Sequence, residues 1–479
     1  MIENPFRHGV ASGDPRPDGV VLWTRVTVPA HAPVPVEWWV ADPDDPGPPL
    51  ASGEAEACGE HDHTVHVEVD GLEPGRRYAY GFRAAGHDSD AGRTRTAPAG
   101  PTDALRLGLV SCGSYVAGWF TAYGHLAARD VDVVVHVGDY IYDHDRSRTP
   151  HVRIHEPIGQ CLTLADYRTR YAQYRSDPNL RRLHRRFPMV AVWDDHEIAG
   201  SAWREGAIGH RRRDGSWAER RAAAIRAYRE WLPVRPLPAG EDPLRIYRHL
   251  PFGDLVDLVM IDTRLIGRDR PRGRGAWPVA SVGRRDRSLL GEPQRTWLRD
   301  VLGRSTARWK LVGNQVMLAP LRAVPVRSRF WGVNAGQWDG YPGEREDLLR
   351  FLADEDVGGV VVLTGDVHSS WASELAVDGG RPVAVEAVTP SITAEAFADK
   401  VVPRLPGAVR AVERLVRAGN PHHRWFDLRA HGYVVLDVTP DRLRADWWHV
   451  GSISARGAGE RLAASFEVAN GTPRWVPVR

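Results

Sequence analysis

Six short apolar runs, rich in β-branched residues, each end at side chains suited to binding a metal ion or a phosphate. They are "LRLGLVSC" (105–112), "VDVVVHVGD" (131–139), "FPMVAVWDD" (187–195), "LVDLVMIDTR" (255–264), "WKLVGNQ" (309–315) and "GGVVVLTGDVH" (358–368). Amphipathic stretches such as "AERRAAAIRAYREWL" (218–232) and "GEREDLLRFLADE" (343–355) lie between them, a pattern that predicts βαβ units. In α/β sheets, ligands bind outside the carboxyl ends of the strands. One Asp or Asn after a strand is an ordinary turn residue. Six such endings predict a shared site.

The endings supply Cys112; Asp139 with Tyr142; Asp194, Asp195 and His196; Asp262 with Arg264; Asn314 with Gln315; and Asp366 with His368. The sequence has no G-x-S-x-G elbow and no P-loop. Clustered carboxylates repel one another unless a cation joins them. Oxygen donors suit hard ions, whereas Cys and His suit transition metals. The mixture therefore predicts two unlike ions sharing a bridging carboxylate, a clamp for in-line displacement at phosphorus. A carboxylate, tyrosine and thiolate set argues against a zinc hydrolase. Three widely spaced cysteines suggest no disulfide framework, and Cys58 and Cys161 read as structural.

The rest of the chain bounds this reading. Residues 1–98 alternate apolar and polar positions in "VPVEWWVA", "HTVHVEVDGL" and "RRYAYGFRAAG", which predicts an all-β domain. Leu72, Pro74 and Tyr78 stand as in the tyrosine corner of an immunoglobulin or fibronectin-III sandwich. "APAGPTD" reads as a linker, placed at 99–103, and residues 104–479 as a catalytic domain with a β-rich tail. The first 97 residues carry a net charge of −8 and the remainder +10, which suits an anionic substrate. "RRLHRR" (181–186) and "RPRGR" (270–274) read as solvated surface, and no motif for specific nucleic-acid binding accompanies them. No apolar run is long enough for a membrane helix. With no export signal at its start, the chain as written reads as cytoplasmic, or as extracellular or periplasmic if it is a mature form.

"GDYIY" (138–142) matches the GD-x-x-Y motif of calcineurin-like metallophosphoesterases; "WDDHE" (193–197) stands where that superfamily has G-N-H-E, and "GDVH" (365–368) where it has G-H-x-H. Together with "GVASGDP…VLWTR" and "SCGS", the set closely resembles the PhoD-type alkaline phosphatases along nearly the whole chain. The resemblance implies a four-layer α/β/β/α sandwich preceded by an immunoglobulin-like sandwich. It further implies a ferric ion on Cys112, Asp139, Tyr142 and His368, with Asp139 bridging to a second, calcium site at Asp195 and Asp366. Asp194 is a calcium ligand or a partner behind one. Asn314 or Gln315 offers a neutral ligand or a phosphate contact, and Arg264 a substrate contact or an internal ion pair with Asp262.

The implied reaction is hydrolysis of a small phosphate ester by a metal-bound hydroxide, with His196 stabilising or protonating the leaving oxygen. The alternatives are a phosphodiesterase or phospholipase D-like enzyme on the same site, and a non-catalytic binding protein with a degraded site. A monomer is expected. Where relatives continue the third motif with an Asn/Asp-rich turn, this chain has Gly200 and Ser201, which leaves the second ion open between calcium and another metal. Trp338, Tyr341 and Trp371 wall the pocket or fill the core, and His8, His422 and His423 have no partner legible in the sequence.

Overall fold

The computed structural model describes residues 4–478 except 30, 31, 46, 148, 272–276, 279–285, 323–330, 333, 334, 378 and 402–406. Most of the basic run at 270–274 therefore lies outside the described residues. The first three apolar runs form the strands Leu105–Val110, Val133–His136 and Met189–Ala191, neighbouring and parallel in a ten-stranded sheet. The other three form Val256–Met260, Trp309–Asn314 and Val360–Thr364, neighbouring and parallel in a seven-stranded sheet.

Strand alternation assigns each face its neighbours. Leu107 and Leu109 of the larger sheet share one core with Leu258, Leu311, Val361 and Leu363 of the other. The alternate residues Val259, Val312, Val360 and Val362 pack with Leu298, Leu302, Leu349 and Leu352, which come from the helices Glu292–Arg304 and Pro342–Asp354. On the larger sheet's side, the helix Leu164–Arg175 starts at a capping box in which Thr163 and Asp166 each accept from the other's amide. The helix Trp217–Trp231 starts at Ser216 and buries Ala224, Ile225, Ala227, Tyr228 and Trp231. The mixed α/β content agrees with the expected class.

The N-terminal residues are joined to this frame more closely than a linker at 99–103 suggests. Val10–Arg16, Gly19–Arg25 and Thr64–Asp70 extend the ten-stranded sheet, with Gly13 in parallel register on Met189. A Cβ at Gly13 would lie 2.1 Å from the Pro233 carbonyl oxygen and 2.6 Å from that of Met189, so only glycine fits the join. A five-stranded sheet with Val34–Ala41 and Arg77–Ala84 at its centre covers these strands; Val36, Val40, Tyr80 and Phe82 pack on Val20, Leu22 and Val67. At the other edge the tail strand Gly432–Val438 pairs antiparallel with Leu105–Val110. No helix among the described residues is long and apolar enough to cross a membrane.

Candidate metal centre

The loops leaving five of the six strands converge, and three of them have bent backbones. Cys112, Asp139, Asp366 and His368 adopt φ of 61°, 55°, 58° and 52°, the left-handed region that side chains with a Cβ disfavour. Such strain of about 1 kcal/mol or more per residue persists only where surrounding contacts hold it. Here the Cys112 amide donates to the Gly138 carbonyl at 3.1 Å and the Gly113 amide to that of Asp139 at 2.9 Å. Glu197, fully buried, accepts from the amides of Asp139 at 3.1 Å, Tyr140 at 2.5 Å and Asp194 at 2.9 Å. One carboxylate thus pins the second loop to the third.

Overlapping groups of donors result, and Asp139 belongs to two of them. Cys112, Asp139 and His368 offer ligand atoms all within 4.8 Å of one another. The Tyr142 hydroxyl lies 3.0 Å from Asp139 Oδ2 and 3.1 Å from His368 Nε2, which adds the phenol to that group. Asp194, Asp195 and Asp366 form the second group, and Asp139, Asp195 and His196 another that overlaps it. Burial, then the Asp139 charge, pushes the Cys112 thiol and the Tyr142 phenol well above their usual ranges. Burial, with Asp195 and Asp366 adding to it against the pull of His196 and Arg264, raises Asp139 to about 7.

Arg264 is the cation of the second group. It donates from Nε and Nη2 to the two oxygens of Asp194, and from Nη2 to Asp366, which also accepts from Gln337 Nε2. Asp195 lies 3.6 Å from the same guanidinium. The expected ion pair with Asp262 is therefore corrected: Asp262 instead accepts the amides of Arg264, Leu265 and Ile266, a turn that aims the arginine. Asp194, expected as a ligand, has both oxygens on Arg264.

His196 stacks on Tyr142 with ring centroids 4.3 Å apart. Its Nδ1 lies 2.7 Å from Asp143 Oδ1, and the other oxygen of Asp143 accepts from Arg220 at 2.9 Å. Burial opposes its charge, but Asp195, Asp139 and Asp143 carry the imidazole well above its usual range.

Asn314 and Gln315 are brought to the strand end but not into the site. Asn314 Nδ2 donates to Thr364 Oγ1 at 3.1 Å and to the Val316 carbonyl, and its oxygen accepts from Trp338 Nε1 at 3.2 Å. Gln315 accepts from Thr263 and donates to the Ile261 carbonyl at 2.6 Å. Both amides hold strands and loops together in this structure. Trp338, Tyr341 and Trp371 are buried in the core. The histidines left without partners acquire them: His8 packs edge-on against Trp231 at 5.1 Å, His422 Nε2 meets the Pro320 carbonyl at 2.7 Å, and His423 Nδ1 meets Ser373 Oγ at 2.8 Å. Asp143 and Glu197 carry no assignment from the sequence, although Asp143 directly follows "GDYIY" and Glu197 closes "WDDHE". Arg220 and Gln337 sit in an ordinary helix and loop, where no signal marks them.

The family model described as PhoD-like phosphatase matches residues 107–447, and the model described as PhoD-like phosphatase, N-terminal domain, matches residues 1–98. The chain is 38% identical to alkaline phosphatase D of Bacillus subtilis (strain 168), over 96% of this chain and 80% of that protein. A solved structure titled "Structure of PhoD" superposes with a TM-score of 0.91 at 36% identity, covering 100% of this chain and 93% of that one.

Proposed function

The chain belongs to the PhoD-like phosphatase family and is a phosphoesterase, and from that premise we propose how its residues divide the work. The family implies metal dependence, and the donor set fits it. Asp139, Asp194, Asp195 and Asp366 meet with a thiol and a phenol; the Arg264 guanidinium donates to Asp194 and Asp366, and the His196 backbone amide donates to Asp139. Without further positive charge, burial holds Cys112 and Tyr142 protonated.

In this reading Cys112, Asp139, Tyr142 and His368 would hold Fe³⁺, a set of anionic and imidazole donors that favours the ferric state. Asp139, Asp195 and Asp366, whose oxygens suit a hard ion, would hold a second ion, assigned to Ca²⁺. Asp194 anchors Arg264, which orients Asp366 and faces the charge of the substrate phosphate. Bound there, the two ions would supply a nucleophile at neutral pH and neutralise charge on the phosphoryl group. Asp143 holds the His196 Nδ1 proton and Arg220 holds Asp143, so Nε2 is the atom that serves the leaving oxygen. Stacking on Tyr142 fixes the ring plane.

We read the two facing sheets with helices outside them as the four-layer α/β/β/α arrangement. The five-stranded sheet over the N-terminal strands is read as an immunoglobulin-like sandwich, and the chain as a monomer. The observation that carries the functional reading is the convergence of Cys112, Asp139 and His368 with Tyr142 at one end of Asp139 and of carboxylates at the other. Metal analysis of protein purified without chelators, with rates on a phosphomonoester and a phosphodiester, tests it. Iron-dependent hydrolysis of a phosphate ester is expected, the two rates telling which ester is preferred; activity in iron-free protein would overturn the ferric assignment.

A further inference from the structure

The segment between the strand Pro382–Val388 and the helix Phe397–Val401 runs past two of the proposed iron ligands. The amides of Thr393 and Ala394 both donate to the Cys112 carbonyl, at 3.3 and 3.1 Å, and the Ile392 amide donates to that of Ser111 at 3.0 Å. The Glu395 carbonyl lies 2.9 Å from His368 Nδ1, which turns Nε2 of that ring toward the Tyr142 hydroxyl. Ala394 packs in one buried cluster with Cys112 and Tyr142. Cys112 and His368 both hold left-handed backbones, which persist only where neighbours support them. This loop supplies contacts to both.

What holds the loop lies away from the metal centre. Ser391 Oγ donates to the Ala394 carbonyl at 2.6 Å and lies 3.0 Å from His431 Nδ1. His431 Nε2 lies 3.0 Å from Asp399 Oδ2, which also accepts the Ala396 amide at 2.8 Å. The imidazole therefore bridges the two ends of the loop. His431 is itself fixed by the tail: its carbonyl accepts from the Val450 amide at 2.9 Å, and the next amide, that of Gly432, donates to the Ser391 carbonyl at 2.9 Å. Serine, histidine and aspartate in this order resemble a hydrolytic triad. Ser391 is fully buried, however, and its one hydroxyl hydrogen is directed to Ala394, so the chain of bonds is a clamp and not a nucleophile.

We propose that His431 is a positioning residue for the iron site: by bridging Ser391 and Asp399 it holds the loop that sets the Cys112 backbone and the His368 ring. The proposal rests on the ferric assignment of those two ligands given above. Such outer partners orient ligands and govern how firmly a metal is kept.

The rate at which a strong ferric chelator strips iron from the full chain, followed by metal analysis, tests it. His431→Phe and Asp399→Ala should each lose iron about 10-fold faster or more than the native chain. Asp399→Asn keeps an oxygen for both donors and should stay within about twofold of native. Val36→Ala opens a cavity in the N-terminal core, so it should lower melting yet leave iron loss unchanged. Native iron loss in Asp399→Ala overturns the proposal, as does equal acceleration in Val36→Ala. Should His431→Phe fail to fold, the Asp399 pair, at a half-buried position, decides. A native chain that carries no iron would overturn the ferric assignment instead. Amide exchange of Thr393 and Ala394 in metal-free protein then tests the clamp by itself: about 10-fold faster exchange is expected in Asp399→Ala, and native exchange overturns it.

Discussion

Asp143 lies 2.7 Å from His196 Nδ1 and turns its other oxygen to Arg220 at 2.9 Å, a buried relay from helix to imidazole. It fixes which nitrogen of His196 carries a proton outward. His196→Ala should lower kcat by about 10²-fold or more, the usual range for a lost general acid. Asp143→Asn keeps the shape but loses the charge, and should lower kcat by roughly 10-fold or more with KM nearly unchanged. Metal content measured alongside should stay at the native level in both. A full rate in Asp143→Asn would remove the relay from the mechanism.

Glu197 accepts three backbone amides that bracket two proposed ligands, Asp139 and Asp195. Glu197→Ala strands those donors in a closed interior, an expected loss of about 3 kcal/mol or more. Denaturant melts should register that loss, and dialysis against a chelator should strip metal faster than from the native chain. Native stability in Glu197→Ala would contradict the pinning role.

Asn314→Ala and Gln315→Ala separate scaffold from contact. Each amide is engaged by the strands and loops behind the site, so melting should fall while KM of the folded fraction stays within about twofold. A raised KM with unchanged stability would restore the substrate-contact reading.

Acid stability should follow the buried histidines. Burial, with the positive charge of neighbouring arginines, holds His8 at about 3, and burial alone holds His136 at about 3. The unfolded chain takes up these protons near the ordinary value of about 6.5 while the folded chain does not. Stability from these groups is therefore complete above about 6.5 and is lost as pH falls from there toward 3. Melting should drop by roughly 5 °C or more between pH 7 and pH 4, and His136→Phe should flatten part of that slope if the ring is tolerated.

The strands and the donor residues were legible because both signals are local: β-branched runs of strand length, then polar endings. The bend that turns those endings inward was not, since Cys112, Asp139, Asp366 and His368 carry no sequence mark of a left-handed backbone. Asn314 and Gln315 stand at a strand end like the converging donors, and what engages their amides lies in other segments. Sequence offers Arg264 a substrate contact or its nearest acid, Asp262, whereas its partners Asp194 and Asp366 are 70 and 102 residues away. The join between Gly13 and Met189 was hidden for the same reason, as parallel pairing across such a separation leaves no pattern in either segment.

The two-ion reading stands most directly on the visible spectrum of the protein purified without chelators. Tyr142 bound to Fe³⁺ should give a charge-transfer band, and Tyr142→Phe should lose that band while retaining the fold. A colourless, iron-free protein that hydrolyses phosphate esters at full rate would contradict it.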